Sequence, residues 1–278
     1  MKPFLALTRR AALPLVAALA LAGCGTLGGG SNSSSSSAGA PAAGDIHVMT
    51  SGGFTAAYNE LRPAFERSSA RTVKTAYGAS MGNADDSIPS RLARNEPADV
   101  VILARPALDA LVAQGKVVPG SQVDLVRSAI GFAVRKGAPK PDIGSVEALK
   151  RTLLAAPSIA YSASASGTYY ETELLKTLGI EDQVKPKSKR ILSERVGTVV
   201  ARGDAALGLQ QVSELLPIAG IDYVGPLPAE VQRVTVFSAG IATASKQPEA
   251  ARQLIRYLNS PAAAPTIAKT GLEPLTAR

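Results

Sequence analysis

The sequence predicts an α/β fold, on three observations. From Ile46 onward, short apolar runs rich in β-formers alternate with helix-like patterns. Some of those runs, such as Val100-Val101-Ile102-Leu103, are apolar at every position, as expected of strands buried on both faces in mostly parallel sheets. Four of the strand-like runs end in turns built from glycine and small polar residues. No repeat of fixed period is present.

The first strand covers 46–49 and the turn Thr50-Ser51-Gly52-Gly53 follows it. Phe54, Ala57, Tyr58, Leu61 and Phe65 then recur at helical spacing and give the next helix one apolar face. Pro63 lies inside that pattern and is expected to kink the helix or to open a second segment. A strand at 72–77 leads into the turn 78–83 and a helix reaching Leu92. The buried strand 100–103 precedes a helix with Pro106 in its first turn and Leu108, Leu111 and Val112 on one side. A strand is expected at 129–134. Helices at 146–154, 169–178 and 194–202 then alternate with strands at 159–161 and 206–209. A late strand at 234–237 and helices at 248–258 and 261–269 close the chain.

Thirty Lys and Arg face 22 Asp and Glu, a formal charge of +8, but Lys2, Arg9 and Arg10 belong to a leader. The remainder carries 27 basic and 22 acidic residues, scattered and without interleaved aromatics, which argues against a nucleic-acid partner. The one basic cluster, 185–190, reads as a surface loop. Residues 1–23 combine a basic start with an apolar run, 11–21, too short to span a bilayer. They end in Leu21-Ala22-Gly23-Cys24, which resembles the bacterial lipobox and makes Cys24, the sole cysteine, a lipid-attachment site. Thr8-Arg9-Arg10 also allows export by the twin-arginine route. Residues 24–44 are almost wholly Gly, Ser, Ala, Thr and Pro and are expected to tether the folded part to a membrane surface.

Chemistry is sought in the four small-polar turns, because open α/β sheets bind ligands at the carboxyl ends of their strands. The 50–53 turn offers hydroxyls, backbone N–H groups and a helix start: either an anion seat or a plain βα turn. In the 162–168 turn, Thr168-Tyr169-Tyr170-Glu171 matches a capping box, which assigns Thr168 to its own helix and leaves Ser166 and Gly167 for a ligand. Gly78-Ala79-Ser80-Met81-Gly82 matches a nucleophile elbow, yet the sole histidine, His47, precedes it and no Ser-x-x-Lys occurs. Gln210-Gln211-Val212-Ser213 is the fourth turn. One histidine and one cysteine leave only carboxylates as metal ligands. Asp85-Asp86 reads as a pair of helix-dipole partners, and no phosphate-binding glycine loop is present. No metal and no cofactor are expected.

Together these pieces resemble a family. The strand–turn–helix from Val48 to Phe65, Gly78-Ala79-Ser80, Glu96-Pro97-Ala98-Asp99-Val100-Val101 and Ser166-Gly167-Thr168-Tyr169-Tyr170 carry the resemblance. So do Arg202-Gly203-Asp204-Ala205-Ala206-Leu207-Gly208 and Asn259-Ser260-Pro261-Ala262-Ala263-Ala264. In that order they are similar to the type II periplasmic substrate-binding proteins of ABC transporters, nearest the molybdate-binding (ModA-like) group. The resemblance implies two α/β lobes, 45–130 plus 235–278 and 131–234, joined by two crossing strands and closing on a ligand. It implies a monomeric, periplasmic, lipid-anchored protein that captures a small anion for an ABC permease and is not an enzyme. Ser80 matches the second-turn hydroxyl of the molybdate binders. Gly53 stands where they carry a serine, with Ser51 two residues earlier, and Gln211 beside Gln210 where they carry a tyrosine; 82–86 lengthens the second turn. These departures admit an organic carboxylate as ligand. The expected contacts are Ser51, Gly52, Gly53, Ser80, Met81, Ser166, Gly167 and Gln211, with Arg195 and Tyr161 further out. A Ser80-dependent hydrolase and a sensing lipoprotein without a transport role are the alternatives.

Overall fold

The computed structural model describes residues 44–276. The leader, Cys24 and the tether lie outside the described residues, apart from Gly44. Two sheets organise the chain. The first contains β1 (Ile46–Ser51), β2 (Val73–Gly78), β3 (Val100–Ala104), β4 (Val123–Ser128), β10 (Thr235–Ile241) and β11 (Glu273–Pro274), in the order β11-β4-β10-β3-β1-β2. The second contains β5 (Ile130–Arg135), β6 (Ile159–Ser162), β7 (Ser188–Ile191), β8 (Leu207–Gln211) and β9 (Ile221–Pro226), in the order β7-β6-β8-β5-β9.

Both sheets are mixed rather than mostly parallel. β1 runs parallel to β2 and β3, and β6 to β7 and β8. β10 is antiparallel to β3 and β4, and β5 to β8 and β9. The antiparallel members are the strands at which the chain changes sheet, β4 to β5 through Ala129 and β9 to β10 through residues 227–234. Gln232 ties the two crossings together. Its Oε1 accepts from Ile130 N–H at 2.9 Å and its Nε2 donates to Ile130 O at 2.9 Å.

In the first lobe, α1 (Gly52–Ser69) starts directly from β1 and buries Phe54, Ala57, Tyr58, Leu61 and Phe65, the face its spacing predicts. Each of the large side chains contributes roughly 2 kcal/mol by leaving water. Pro63 neither ends nor divides this helix, which runs on until Ala70 adopts a left-handed φ of 52°. The same core takes Ala250, Ala251, Leu254, Ile255 and Leu258 of α10 (Pro248–Leu258) and Ile267 of α11 (Ala264–Lys269). On the opposite face of the sheet lie α2 (Ile88–Ala93) and α3 (Arg105–Ala113).

The second lobe packs α4 (Val146–Ala155), α5 (Ala165–Tyr169), α6 (Leu175–Thr177) and α7 (Glu181–Val184) against one face of its sheet. A π-helical turn, Tyr170–Leu174, joins α5 to α6. α8 (Val196–Arg202) covers the other face, and α9 (Val212–Leu215) leaves the end of β8. Helix α5 begins before Thr168, with Ser164 at its N-cap, so Thr168 does not cap it. The Thr168 hydroxyl instead donates to Met81 Sδ at 3.4 Å. The basic cluster is not a loop: Lys185–Lys187 is a short 3₁₀ turn, and Lys189 and Arg190 lie on the edge strand β7.

Candidate active site

The carboxyl ends of β1 and β2 face those of β6, β7 and β8 across a cleft of about 380 Å³. One wall is Gly52, Thr55 and Asn59 of α1 with Tyr77, Gly78, Ala79 and Asp86. The other is Ser162, Ala163 and Ser164, the segment from Ile191 to Arg195, and Gln210 and Glu214. Several bonds cross it. Ser80 N–H donates to Ser164 Oγ at 3.2 Å, the Ser193 hydroxyl to Asp86 Oδ1 at 3.2 Å, and the Ser213 hydroxyl to Gly53 O at 2.7 Å. The two lobes are therefore closed on each other.

At the base of the cleft sits Glu214, in the first turn of α9 and only 8% exposed. Burial pushes its carboxyl from the usual range up to about 7, against the opposing pull of the Arg195 charge and of a hydrogen bond from Gln210. Gln210 Nε2 donates to Glu214 Oε1 at 2.9 Å, while Gln210 Oε1 accepts from Val196 N–H at 3.0 Å. Room for this carboxyl comes from Gly52. A Cβ there would lie 1.9 Å from Glu214 Oε1, so any larger residue at the start of α1 collides with it. The positive end of the 18-residue α1 meets the carboxyl at this contact.

Arg195, the N-cap residue of α8, lines the cleft, and its side chain makes no ion pair or hydrogen bond with the described residues. Its neighbour Glu194 is engaged elsewhere, pairing with Arg202 at 2.7 Å, and this contact holds the Glu194 carboxyl below its ordinary range. A half-buried guanidinium without a partner at the edge of a cleft is a seat for a carboxylate, which it can grip with two parallel hydrogen bonds.

Of the residues expected to contact a ligand, Gly52 and Arg195 line the cleft. Ser51 adjoins it as the N-cap of α1; its hydroxyl is fully buried and has no partner among the described residues, as is the case for Gln211 Oε1. Gly53 lies beneath Gly52, where its carbonyl receives Ser213. Ser80 is buried and its Oγ accepts from Ala104 N–H at 3.0 Å, so its hydroxyl braces the start of α3; with Met81 it lines a separate hollow. Ser166 shares a 3.1 Å hydrogen bond with Ser162 Oγ, and a Cβ on Gly167 would strike Ser162 O, so this pair supports the turn while Ser162 and Ser164 face the cleft. Gln211 donates to Thr235 Oγ1 at 2.9 Å, next to the crossing strands. Tyr161 packs at a tilt against Tyr170 in the core of the second lobe, with ring centroids 5.0 Å apart. Asp86 caps no helix; Ser87 does, and Asp86 reaches over the cleft.

Sequence reasoning missed Glu214 and the role of Gln210. The available signal was a glutamine and a glutamate four apart at a strand-to-helix turn, with Arg195, already an expected contact, at the preceding helix start.

This architecture is that of a solute-binding protein. The chain belongs to the family described as bacterial extracellular solute-binding protein, whose model matches residues 46–273. The periplasmic molybdate-binding protein of Azotobacter vinelandii is similar in fold, with a TM-score of 0.67 at 20% identity over 84% of this chain and 100% of that one. A sulfate-binding protein of Mycobacterium tuberculosis gives 0.64 at 22% identity over 84% and 88%. In sequence, the chain is 46% identical over 233 residues to a Pseudomonas protein named aconitate isomerase, covering 84% of this chain and 89% of that one. That relative overturns the expectation that the chain is not an enzyme. The expectation rested on the resemblance to transport proteins and on the lack of a nucleophile with its base, whereas moving a proton needs only one well-placed carboxyl.

Proposed function

We propose that the chain is an isomerase on a solute-binding fold, acting in the cleft on an aconitate-like unsaturated tricarboxylate. The observation that carries this reading is Glu214: a single carboxyl, buried at the base of the cleft and raised to about 7, beside an unpaired arginine. A group that titrates near neutrality can both take a proton and return it. The likeness to a protein named aconitate isomerase supplies the substrate class.

Aconitate has three carboxylates on three carbons, of which one outer carbon is a methylene and the other is vinylic. Glu214 takes a proton from the methylene: the C–H bond breaks, and its electron pair spreads over the three carbons and the adjoining carboxylates. Protonation of the other outer carbon by the same carboxyl moves the double bond, and the new double bond can form with the opposite geometry. The proton count is unchanged and no oxidant or reductant is consumed. Arg195 grips one carboxylate and compensates the charge that develops next to it. The start of α1 and the Ser162–Ser164 turn supply neutral donors for the rest.

The test is to incubate the purified full-length protein with cis- or trans-aconitate and follow the vinylic proton by NMR. Interconversion is expected, and Glu214→Gln is expected to lower kcat at least 1,000-fold with the thermal midpoint retained. A wild-type protein that does not interconvert the isomers, or an equally active E214Q variant, overturns the reading.

A second reading, favoured by the family and by the closed two-lobed cleft, is capture of a carboxylate for an ABC permease without turnover. A ligand-induced thermal shift without interconversion supports it. In either reading the Leu21-Ala22-Gly23-Cys24 sequence, outside the described residues, supports a lipid at Cys24 and a place in the cell envelope. Retention of a Cys24→Ser protein in the membrane fraction excludes that anchor.

A further inference from the structure

The side-chain amide of Gln210 has a settled orientation. Val196 N–H can only donate, and it lies 3.0 Å from Gln210 Oε1. The amide nitrogen must therefore face Glu214 Oε1, at 2.9 Å. Both side chains are buried, so water does not compete for either bond. Glu214 Oε1 is thereby occupied by a donor. Glu214 Oε2 has no partner among the described residues, nor does it belong to the fully buried, unpartnered atoms, so it opens on the cleft.

We infer that Gln210 is a positioning residue: its amide holds one oxygen of Glu214 so that the other, Oε2, is the atom presented to a substrate for proton transfer. The inference rests on the isomerase reading of the same cleft. It follows from the donor inventory. An amide N–H cannot accept a proton, so Oε1 stays an acceptor whether Glu214 is ionised or neutral. When Glu214 is protonated the hydrogen sits on Oε2, facing the cleft, where the return step needs it. Without Gln210 the carboxyl could turn either oxygen, and so its proton, away from the substrate. The same residue ties the end of β8 to the start of α8, next to Arg195, so the proton-transfer atom and the guanidinium are placed from one side chain.

Two variants separate the donor from the acceptor. Gln210→Met removes both hydrogen bonds. Gln210→Glu restores an acceptor for Val196 N–H but sets a second carboxyl against Glu214, which donates to it only while it is protonated. Each is made in the full-length protein and assayed for aconitate interconversion across pH. In both, kcat is expected to fall at least tenfold with KM within about threefold. The alkaline-rising limb of kcat/KM should move up in pH, because a hydrogen bond that favours ionised Glu214 is gone. Wild-type kcat and pH profile in both variants overturns the positioning role and leaves the isomerase reading standing. An inactive wild-type protein overturns that reading and this inference with it.

Discussion

Gly52 and Glu214 touch across the cleft, one opening α1 in the first lobe and the other in α9 of the second. The missing side chain of one is the space occupied by the carboxyl of the other. The approach of the two lobes thus adds to the burial that raises Glu214. Replacing Gly52 with alanine sets a methyl 1.9 Å from Glu214 Oε1, too close for both to stay. Either the lobes part or the carboxyl turns aside. Turnover should fall about a hundredfold, as misplacements of an ångström do. In a ¹³C titration of the glutamate carboxyls, the Glu214 signal should move from near 7 toward the ordinary glutamate range. An unmoved titration would mean the cleft is not the source of the shift.

The buried carboxyl also makes stability depend on pH, in a direction opposite to the common one. Glu214 titrates near 4.5 when unfolded and at about 7 when folded, so between those values the folded chain holds a proton that the unfolded chain has released. Its contribution is complete below about 4.5 and is lost as pH rises through about 7. At 1.36 kcal/mol for each unit, the difference is on the order of 3 kcal/mol. Urea unfolding at pH 4.5 and pH 8 should show wild type losing more stability over that interval than E214Q, whose amide does not ionise. Equal slopes for the two proteins would place the ionisation elsewhere.

How much of this was legible in the sequence follows from what each residue depends on. The β1–α1 unit was readable because Phe54, Ala57, Tyr58, Leu61 and Phe65 declare their face by spacing alone, and Ser51 and Gly52 fall where the strand must turn. β4 and β9 were not readable: Val123–Ser128 and Ile221–Pro226 are short and mix charged with apolar residues, and sheet neighbours hold them in place. Ser164, not Thr168, stands at the N-cap position of α5, because local matches to a capping box cannot see that the chain turned helical three residues earlier. Glu214 stands one residue past the turn that sequence singled out. The glutamine four residues before it is the one local mark, and it says nothing of acidity, which is altered by Gly52, far away in sequence, and by the packing of both lobes around it.

Arg195 should separate binding from chemistry. It lines the cleft without a salt bridge to any of the described residues, so an anionic substrate meets a guanidinium that has no bound carboxylate to leave. Loss of a two-pronged, charge-assisted contact costs about 2 kcal/mol, which predicts a KM about 30-fold higher in Arg195→Ala. Arg195→Lys keeps the charge but not the planar fork and should recover only part of the loss. Because the Arg195 charge pulls Glu214 down, R195A should also move the rising limb of the pH profile to higher pH, whereas R195K should leave it near its original place. Steady-state kinetics across pH would decide both points, and an unaltered KM in R195A would remove Arg195 from the substrate's surroundings.

Asp99 provides a test of the fold that leaves the cleft alone. It is 3% exposed and sits beneath the first sheet, far along β1 and β3 from the ends that line the cleft. Its Oδ2 accepts from His47 N–H at 2.8 Å. Its Oδ1 accepts from the Ser245 hydroxyl at 2.7 Å and from the backbone N–H groups of Lys246 and Gln247 at 3.0 and 3.1 Å. Burial alone would raise this carboxyl, and the donors outweigh it, holding Asp99 below its ordinary range. One side chain thus joins the start of β1 to the start of α10, where its charge also meets the positive end of an 11-residue helix. Asp99→Ala leaves those donors facing a void and should destabilise the protein by on the order of 3 kcal/mol. Asp99→Asn should recover little, because its NH₂ points a donor at other donors. The carboxylate's contribution is present above its unfolded value and fades as pH falls through the lower folded one, so wild type and D99N should converge in stability on acidification. Chemical denaturation at neutral and acidic pH measures this directly, and a constant gap between the two proteins across that range would show that the charge of Asp99 has no part in its hold on α10.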